Sequence, residues 1–247
     1  MQSRIDKLCE KLHDNEAVFI TSYPNIFYYS GFTSEDAYLL ISHNAKYLIT
    51  DSRYTIQARE QAKGFEVRDI KDGFQKVFAK LPEKYIGYEE SAMSVREFKS
   101  LRNKLTEYQD FVEMQKTINE QRRIKSDDEI KKISEAEKIG DEAFSYILDK
   151  IKVGKTEREI ALELEFFMKK QGASSLSFDT IAASGVRSAM PHGVATDKKI
   201  ENGDFLTLDF GCVFEGYCSD MTRTVVVGKA IEKQKRCSRR NKRFFQW

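Results

Sequence analysis

The segment between residues 204 and 227 constrains the fold of this chain most, because it has the composition of a β-hairpin. Residues 205–212 and 217–227 are rich in aromatic and β-branched residues, which favour strands. Glu215-Gly216 between them is typical of a two-residue turn, with glycine where a positive φ is required. The sequence therefore predicts two antiparallel strands joined by a tight turn at residues 215–216.

The position of the turn sets the register, and the register brings two carboxylates together. We expect Phe214 to pair with Tyr217. Asp209 then lies opposite Thr222, and Asp220 becomes its diagonal neighbour on the same face, roughly 7–8 Å away at Cβ. A turn centred one residue earlier would place the two aspartates directly opposite each other. Either register gathers four carboxylate oxygens at a spacing that can hold two metal ions about 3.5–4 Å apart.

The aspartate pair has two interpretations. It is either a solvated hairpin face that carries two unrelated acids or part of a metal site. Like charges across strands destabilise a sheet, Asp is depleted in strands, and the flanking residues are apolar enough to bury this face. The pattern therefore favours a site for hard divalent ions with oxygen and imidazole ligands, such as Mn, Co or Zn.

Composition indicates a globular protein with room for one large or two ordinary domains. The chain has 247 residues, 40% of them hydrophobic and 32% charged. Seven of its 41 basic residues fall in the last 15 positions, and the remaining 34 face 39 acidic residues, so the body is mildly acidic and gives no reason to expect nucleic acid. The longest apolar runs are strand-sized and the N-terminus lacks a secretory signal. We expect a cytoplasmic protein that does not bind a membrane.

The order of helix and strand signals predicts an α/β fold in at least two parts. Helical and strand-like segments alternate through residues 1–120. Beyond a polar stretch, capping boxes at Ser126 with Glu129 and at Thr156 with Glu159 each predict a helix start. The first of these helices is expected to run to Val153-Gly154, where its apolar spacing stops. The domains predicted are 1–120, 125–228 and a basic tail at 229–247.

Several motifs together resemble one family of enzymes. They are Tyr23-Pro-Asn-Ile-Phe-Tyr-Tyr-Ser-Gly-Phe32, Leu48-Ile-Thr-Asp-Ser-Arg-Tyr54, Met190-Pro-His-Gly193, Leu208-Asp-Phe-Gly211 and Gly216-Tyr-Cys-Ser-Asp-Met-Thr-Arg-Thr224. Up to Gly228 the chain resembles the Xaa-Pro aminopeptidases and Xaa-Pro dipeptidases (prolidases) of the pita-bread metallopeptidases. The resemblance implies a ribonuclease-H-like N-terminal domain followed by the first half of a pita-bread α+β domain.

The resemblance also implies roles for particular residues. Asp209 is similar to a bidentate ligand of one metal and Asp220 to the aspartate that bridges both. His192 is similar to the histidine that contacts substrate. Thr222 and Arg223 are expected to hold the metal ligands in position without binding metal themselves. The implied cofactor is a pair of divalent metals, the implied substrates are small proline-containing peptides, and the family often forms homodimers.

The chain departs from the family pattern after Gly228. The second half of a pita-bread domain supplies a histidine and two glutamates as further ligands, and this sequence does not contain them. We therefore expect a truncated or frameshifted copy that is weakly active or inactive. The alternative is a non-catalytic pita-bread module with a binding or regulatory role.

Overall fold

The computed structural model describes residues 2–236. Contacts between residues divide them into two compact units, the first ending at Ile124 and the second beginning at Lys125. Each unit has hydrophobic clusters of its own.

The first unit is built on a six-stranded mixed sheet. Its strand order is β4-β3-β2-β1-β5-β6, in which β1, β2 and β3 form an antiparallel meander and β4, β5 and β6 each pair in parallel with a neighbour. The elements are α1 (Gln2–Cys9), β1 (Glu16–Ile20), α2 (Tyr23–Ser30), β2 (Ala37–Ile41), β3 (Lys46–Thr50), α3 (Thr55–Gln61), β4 (Glu66–Asp69), a 3₁₀ helix (Ile70–Asp72), α4 (Phe74–Phe78), β5 (Tyr85–Tyr88), α5 (Val95–Lys104), β6 (Asp110–Glu113) and α6 (Gln115–Arg123).

Both faces of this sheet are covered, which explains why β1 is buried along its whole length. Side chains alternate across a strand, so Val18 and Ile20 enter one hydrophobic cluster while Ala17 and Phe19 enter the other.

The polar stretch at 119–125, which the sequence suggests as a boundary between domains, is mostly the end of α6. Ile118 of the same helix is buried.

The second unit packs two helices against two small antiparallel sheets. The sheets have the orders β12-β9-β8 and β11-β10-β7. Its elements are α7 (Asp127–Leu148), α8 (Glu157–Lys170), β7 (Ser175–Leu176), β8 (Ile181–Ser184), a 3₁₀ helix (Gly185–Ala189), β9 (Phe205–Phe210), β10 (Cys212–Phe214), β11 (Tyr217–Cys218) and β12 (Met221–Val226).

Both predicted capping boxes are present, and each closes reciprocally between side chain and backbone. The predicted end of α7 at Val153-Gly154 is wrong, since the helix ends at Leu148. Ile151 packs against the same core from the following loop. Its apolar side chain therefore extends the helical pattern beyond the helix itself.

The predicted hairpin and its register are confirmed. Phe214 pairs with Tyr217, and Asp209 pairs with Thr222. Glu215 and Gly216 both have positive φ, 47° and 81°, as a type I′ turn requires. The two predicted strands are not continuous, however. The first is interrupted at Gly211 and the second at residues 219–220. The hairpin therefore contributes its base to one sheet and its tip to the other.

Part of the predicted basic tail is described, and residues 232–236 in it are helical. Residues 237–247 of that tail lie outside the described residues. Within the described part of the chain, no helix combines the length and the apolar character needed to cross a bilayer.

Candidate functional site

The outward face of the sheet β12-β9-β8 carries the predicted carboxylates. Along β9, Leu206, Leu208 and Phe210 are fully buried toward the helices, whereas Thr207 and Asp209 are only partly buried. The alternation of β9 therefore places Asp209 on the face opposite the hydrophobic core.

Asp209 is held by its cross-strand partner. The hydroxyl of Thr222 donates a hydrogen bond of 2.7 Å to Oδ1 of Asp209. On the other side, Asp209 pairs with Ile181 of β8. No other hydrogen bond or ion pair to this carboxylate is found within residues 2–236, so Oδ2 is available to a ligand.

Asp220 lies at the bend between β11 and β12, exposed to solvent. Its backbone N–H donates to Oε1 of Glu137 on α7, 3.3 Å away. The register Asp209 to Thr222 makes Asp220 the diagonal neighbour of Asp209, as the turn position predicts.

Gly211 lets the backbone close at this bend. A Cβ at position 211 would collide with the carbonyl oxygen of Ser219 and would lie 2.8 Å from its carbonyl carbon. The bend is stabilised by Ser219, whose N–H donates to the carbonyl of Cys212 and whose hydroxyl accepts from the N–H of Cys212. Gly211 therefore helps to position Asp220, because only glycine fits at this bend.

His192 lies in a loop that covers the same face of the sheet. A Cβ at Gly193 would be 3.0 Å from Cβ of Ala183, and Ala183 pairs with Thr207, which shares its face with Asp209. Val194 forms an isolated bridge with Ile181, the partner of Asp209. His192 itself is exposed.

A buried carboxylate that sequence analysis missed anchors this loop. The side chain of Glu157, at the start of α8, is 0% exposed. It accepts hydrogen bonds from the N–H and hydroxyl groups of both Ser184 and Thr196, and from Nε of Arg187 at 3.1 Å. Burial alone would raise the pKa of the Glu157 carboxyl, but the hydrogen bonds from Thr196 and Ser184 hold it below its usual value.

A second ion pair ties the end of the loop to the base of β9. Nζ of Lys198 donates to Oδ2 of Asp204 and to the hydroxyl of Ser184, each at 2.9 Å. Burial tends to raise the pKa of Asp204, but the hydrogen bonds from Lys198 and from the N–H of Glu201, together with the positive charge of Lys198, hold that pKa below its usual value. Lys198 thereby connects the Asp204 pair to the Glu157 network through Ser184.

Arg223 lies away from the two aspartates. Its register partner is Leu208, on the buried face, and its guanidinium contacts Asp141 at 3.6 Å and the ring of Phe144 at 5.9 Å on α7. Thr222 therefore contacts a predicted metal ligand directly, whereas Arg223 attaches β12 to a helix.

The donors present fit part of a metal site. Asp209 on β9 and Asp220 at the bend before β12 offer two hard carboxylates, the donor type that divalent cations such as Mn²⁺ prefer. Across residues 2–236, no group of three or more His, Cys, Asp and Glu side chains is close enough to hold an ion. The described residues therefore offer two candidate ligands and not a complete set.

The family matches divide the chain close to the boundary between its two compact units. Residues 131–243 match the model of metallopeptidase family M24, and residues 4–124 match the creatinase/prolidase N-terminal domain.

Individual relatives match most of this chain. An uncharacterised peptidase of Bacillus subtilis, YqhT, is 43% identical over 89% of it. A solved Xaa-Pro dipeptidase from Bacillus anthracis has a TM-score of 0.88 at 39% identity and 95% coverage. A solved X-Pro aminopeptidase from Thermotoga maritima has a TM-score of 0.84 at 38% identity and 94% coverage. The chain spans 63%, 67% and 67% of the lengths of these three proteins.

Proposed function

Because this chain belongs to metallopeptidase family M24 and carries a creatinase/prolidase N-terminal domain, we propose that it is a metal-dependent peptidase of the Xaa-Pro type. Its substrates are small peptides, and the bond cleaved is the one before proline. The family membership also supports the expected architecture, an α/β N-terminal domain followed by part of a pita-bread domain.

The observation that carries this proposal is the hairpin register. Asp209 pairs with Thr222, so Asp209 and Asp220 are diagonal neighbours on one sheet face. Diagonal cross-strand neighbours are roughly 7–8 Å apart, a separation at which both carboxylates can bind the same dinuclear centre. The loop with His192 covers the same face, so a bound peptide would meet both groups.

Each residue has a distinct task in the proposed reaction. Asp209 and Asp220 would hold divalent metal, of which Mn, Co and Zn are the candidates, and Thr222 orients Asp209. A metal bound there would act as a Lewis acid and would lower the pKa of bound water. His192 donates a hydrogen bond to the peptide carbonyl as negative charge develops on its oxygen. Arg223 supports the site only through the position of β12.

We further propose that the chain by itself is weakly active. Two aspartates supply a charge of −2 to a centre whose two cations would carry +4, and no third His, Cys, Asp or Glu of residues 2–236 completes a metal-holding group with them. Incomplete ligation lowers affinity, so metal is expected to bind at one weak site. Named relatives include both a dipeptidase and an aminopeptidase, so the assay below uses proline peptides of two lengths.

The test combines metal binding with hydrolysis. The full chain is titrated with MnCl₂ in a calorimeter and then assayed with Ala-Pro, Ala-Pro-Ala and the control peptide Ala-Ala. We expect weak binding that Asp209→Asn and Asp220→Asn each abolish, and slow cleavage restricted to the proline peptides. Metal binding unaffected by either substitution, or equal cleavage of Ala-Ala, would contradict the proposal.

A non-catalytic module is the second candidate, and the incomplete set of metal donors among the described residues favours it. In that case the chain would bind a proline-containing peptide without turning it over. Saturable binding of Ala-Pro-Ala, with no product after prolonged incubation in excess Mn²⁺, would support the module over the enzyme.

A further inference from the structure

A cavity in the first unit is lined by none of the residues assigned a role so far. It has a volume of about 310 Å³, at the lower end of the range of roughly 300–1,000 Å³ typical of small-molecule sites. Its walls come from β1, β2, the start of α4 and one face of α5. None of its lining residues belongs to the unit that carries Asp209 and Asp220.

Three aromatic rings form the apolar part of this cavity. Phe19 stacks on Tyr38 with centroids 5.5 Å apart and meets the edge of Phe74 at 5.6 Å. Tyr38 and Phe74 also contact each other, at 5.1 Å. Phe19 is buried, whereas Tyr38 and Phe74 are only partly buried. The mutual packing fixes the rings, so a ligand would meet a preformed apolar surface.

Helix α5 presents a polar rim to the same cavity. Glu97, Ser100, Leu101 and Lys104 line it, a spacing that places them on one helix face. Glu97 is already committed, since its carboxylate accepts from the N–H and hydroxyl of Ser94 in the capping box. Lys104 makes no side-chain hydrogen bond or ion pair with any described residue.

An acidic residue lines the cavity as well. Glu35, which precedes β2, is exposed, and its carboxylate has no hydrogen-bond or ion-pair partner within residues 2–236. The cavity thus combines an aromatic surface with one uncommitted carboxylate and one uncommitted ammonium group, and these two groups are not paired with each other.

We propose that this cavity binds a small zwitterion with an apolar body, namely an apolar amino acid. The ligand ammonium binds Glu35 and contacts the ring faces, to which cations are attracted. The ligand carboxylate binds Lys104, and the side chain packs on Tyr38 and Phe74. A purely apolar ligand would leave both charges unused, and an ion of either sign would leave one unused.

Isothermal titration calorimetry with L-phenylalanine on the full chain tests this site. Metal is removed with EDTA beforehand, so that the second unit contributes no metal-dependent binding. We expect one saturable site per chain. Glu35→Gln and Lys104→Gln should each weaken binding about tenfold or more, because each removes a charge-assisted hydrogen bond. Phe74→Leu should weaken binding while it keeps an apolar side chain in place.

Matched variants and ligands separate this site from general charge effects. Lys99→Gln lies on the opposite face of α5, and Glu60→Gln removes an exposed carboxylate from α3; both should bind as the unmodified chain does. Asp209→Asn should also bind normally, so the result does not depend on the proposed peptidase function. Phenylalaninamide and N-acetylphenylalanine, which each lack one charge, should bind more weakly than L-phenylalanine.

Three results would overturn the proposal. They are absence of saturable binding, unchanged affinity in both Glu35→Gln and Lys104→Gln, and equal affinity for N-acetylphenylalaninamide, which carries no charge. Circular dichroism of each variant shows whether the fold is retained. If Phe74→Leu unfolds, the two charge variants decide the outcome.

Discussion

Thr222 and Thr224 occupy the same face of β12, and only one of them contacts a carboxylate. Thr222 donates to Asp209, whereas Thr224 forms a hydroxyl contact of 3.2 Å with Thr207. Removing a group that orients a metal ligand commonly costs about 10–100-fold in metal affinity. We expect Thr222→Val to weaken Mn²⁺ binding by at least about tenfold in calorimetry. Thr224→Val is the matched control, and an equal loss in both variants would show that the hydroxyl of Thr222 has no specific role.

Glu157 and Asp197 each pair with an arginine in the same region, but their environments differ. Glu157 is fully buried against Arg187, whereas the pair Arg158 to Asp197 is exposed, 58% and 80%. Breaking a buried pair costs about 3–5 kcal/mol and breaking an exposed one below about 1 kcal/mol. We therefore expect Glu157→Ala to lower the free energy of unfolding in urea far more than Asp197→Ala does. Equal losses would contradict the assigned role of burial.

The Glu157 network also predicts an acid-sensitive term in stability. Because the folded-state pKa of this carboxyl lies below its usual value, its stabilising effect is present above the unfolded-state pKa and is lost as pH falls through the folded-state pKa. Urea unfolding from pH 7 to pH 3 should show a smaller decline in Glu157→Gln than in the unmodified chain. Identical pH slopes would assign the acid sensitivity to other carboxylates.

At the scale of elements, the bend in the hairpin depends on Gly211. A methyl group there would collide with the backbone of Ser219. That backbone cannot move aside as a flexible side chain could. We expect Gly211→Ala to destabilise the second unit by about 1–3 kcal/mol and to weaken metal binding, because Asp220 follows Ser219 directly. Gly154→Ala is the control. Its φ of 92° brings strain, but nothing lies within 4 Å of the added carbon, so metal affinity should stay unchanged.

Signals that act over a few residues predict many of these elements from the sequence, whereas features that depend on tertiary contacts do not follow from it. The turn at Glu215-Gly216 defined the register because turn chemistry acts over four residues, and both capping boxes were found for the same reason. The burial of Glu157 was not predictable in this way. An acid in the first helical turn is usually explained by the helix dipole, and the donors around Glu157 lie 27 to 39 residues away.

The interruption of the hairpin was missed for a related reason. The composition of residues 205–212 predicts a continuous strand through Gly211, although an isolated glycine in a strand pattern is a signal for a bulge or a close backbone approach. Which apolar residues of a helix are buried also does not follow from their spacing alone. Leu162 is apolar at a helical position yet 51% exposed, while Ile160 and Leu164 on either side are buried, and only the packing of α8 decides between them.

For the whole molecule, each unit contains its own core, and this predicts independent folding of the first. All six strands of its sheet and both of its hydrophobic clusters come from residues 5–118. We expect residues 1–124, expressed alone, to unfold cooperatively in urea and to give a dispersed NMR spectrum. Leu48→Asp is a suitable negative control, because it places a charge at a fully buried position of β3. A non-cooperative transition in the isolated segment would mean that its sheet depends on residues beyond Ile124.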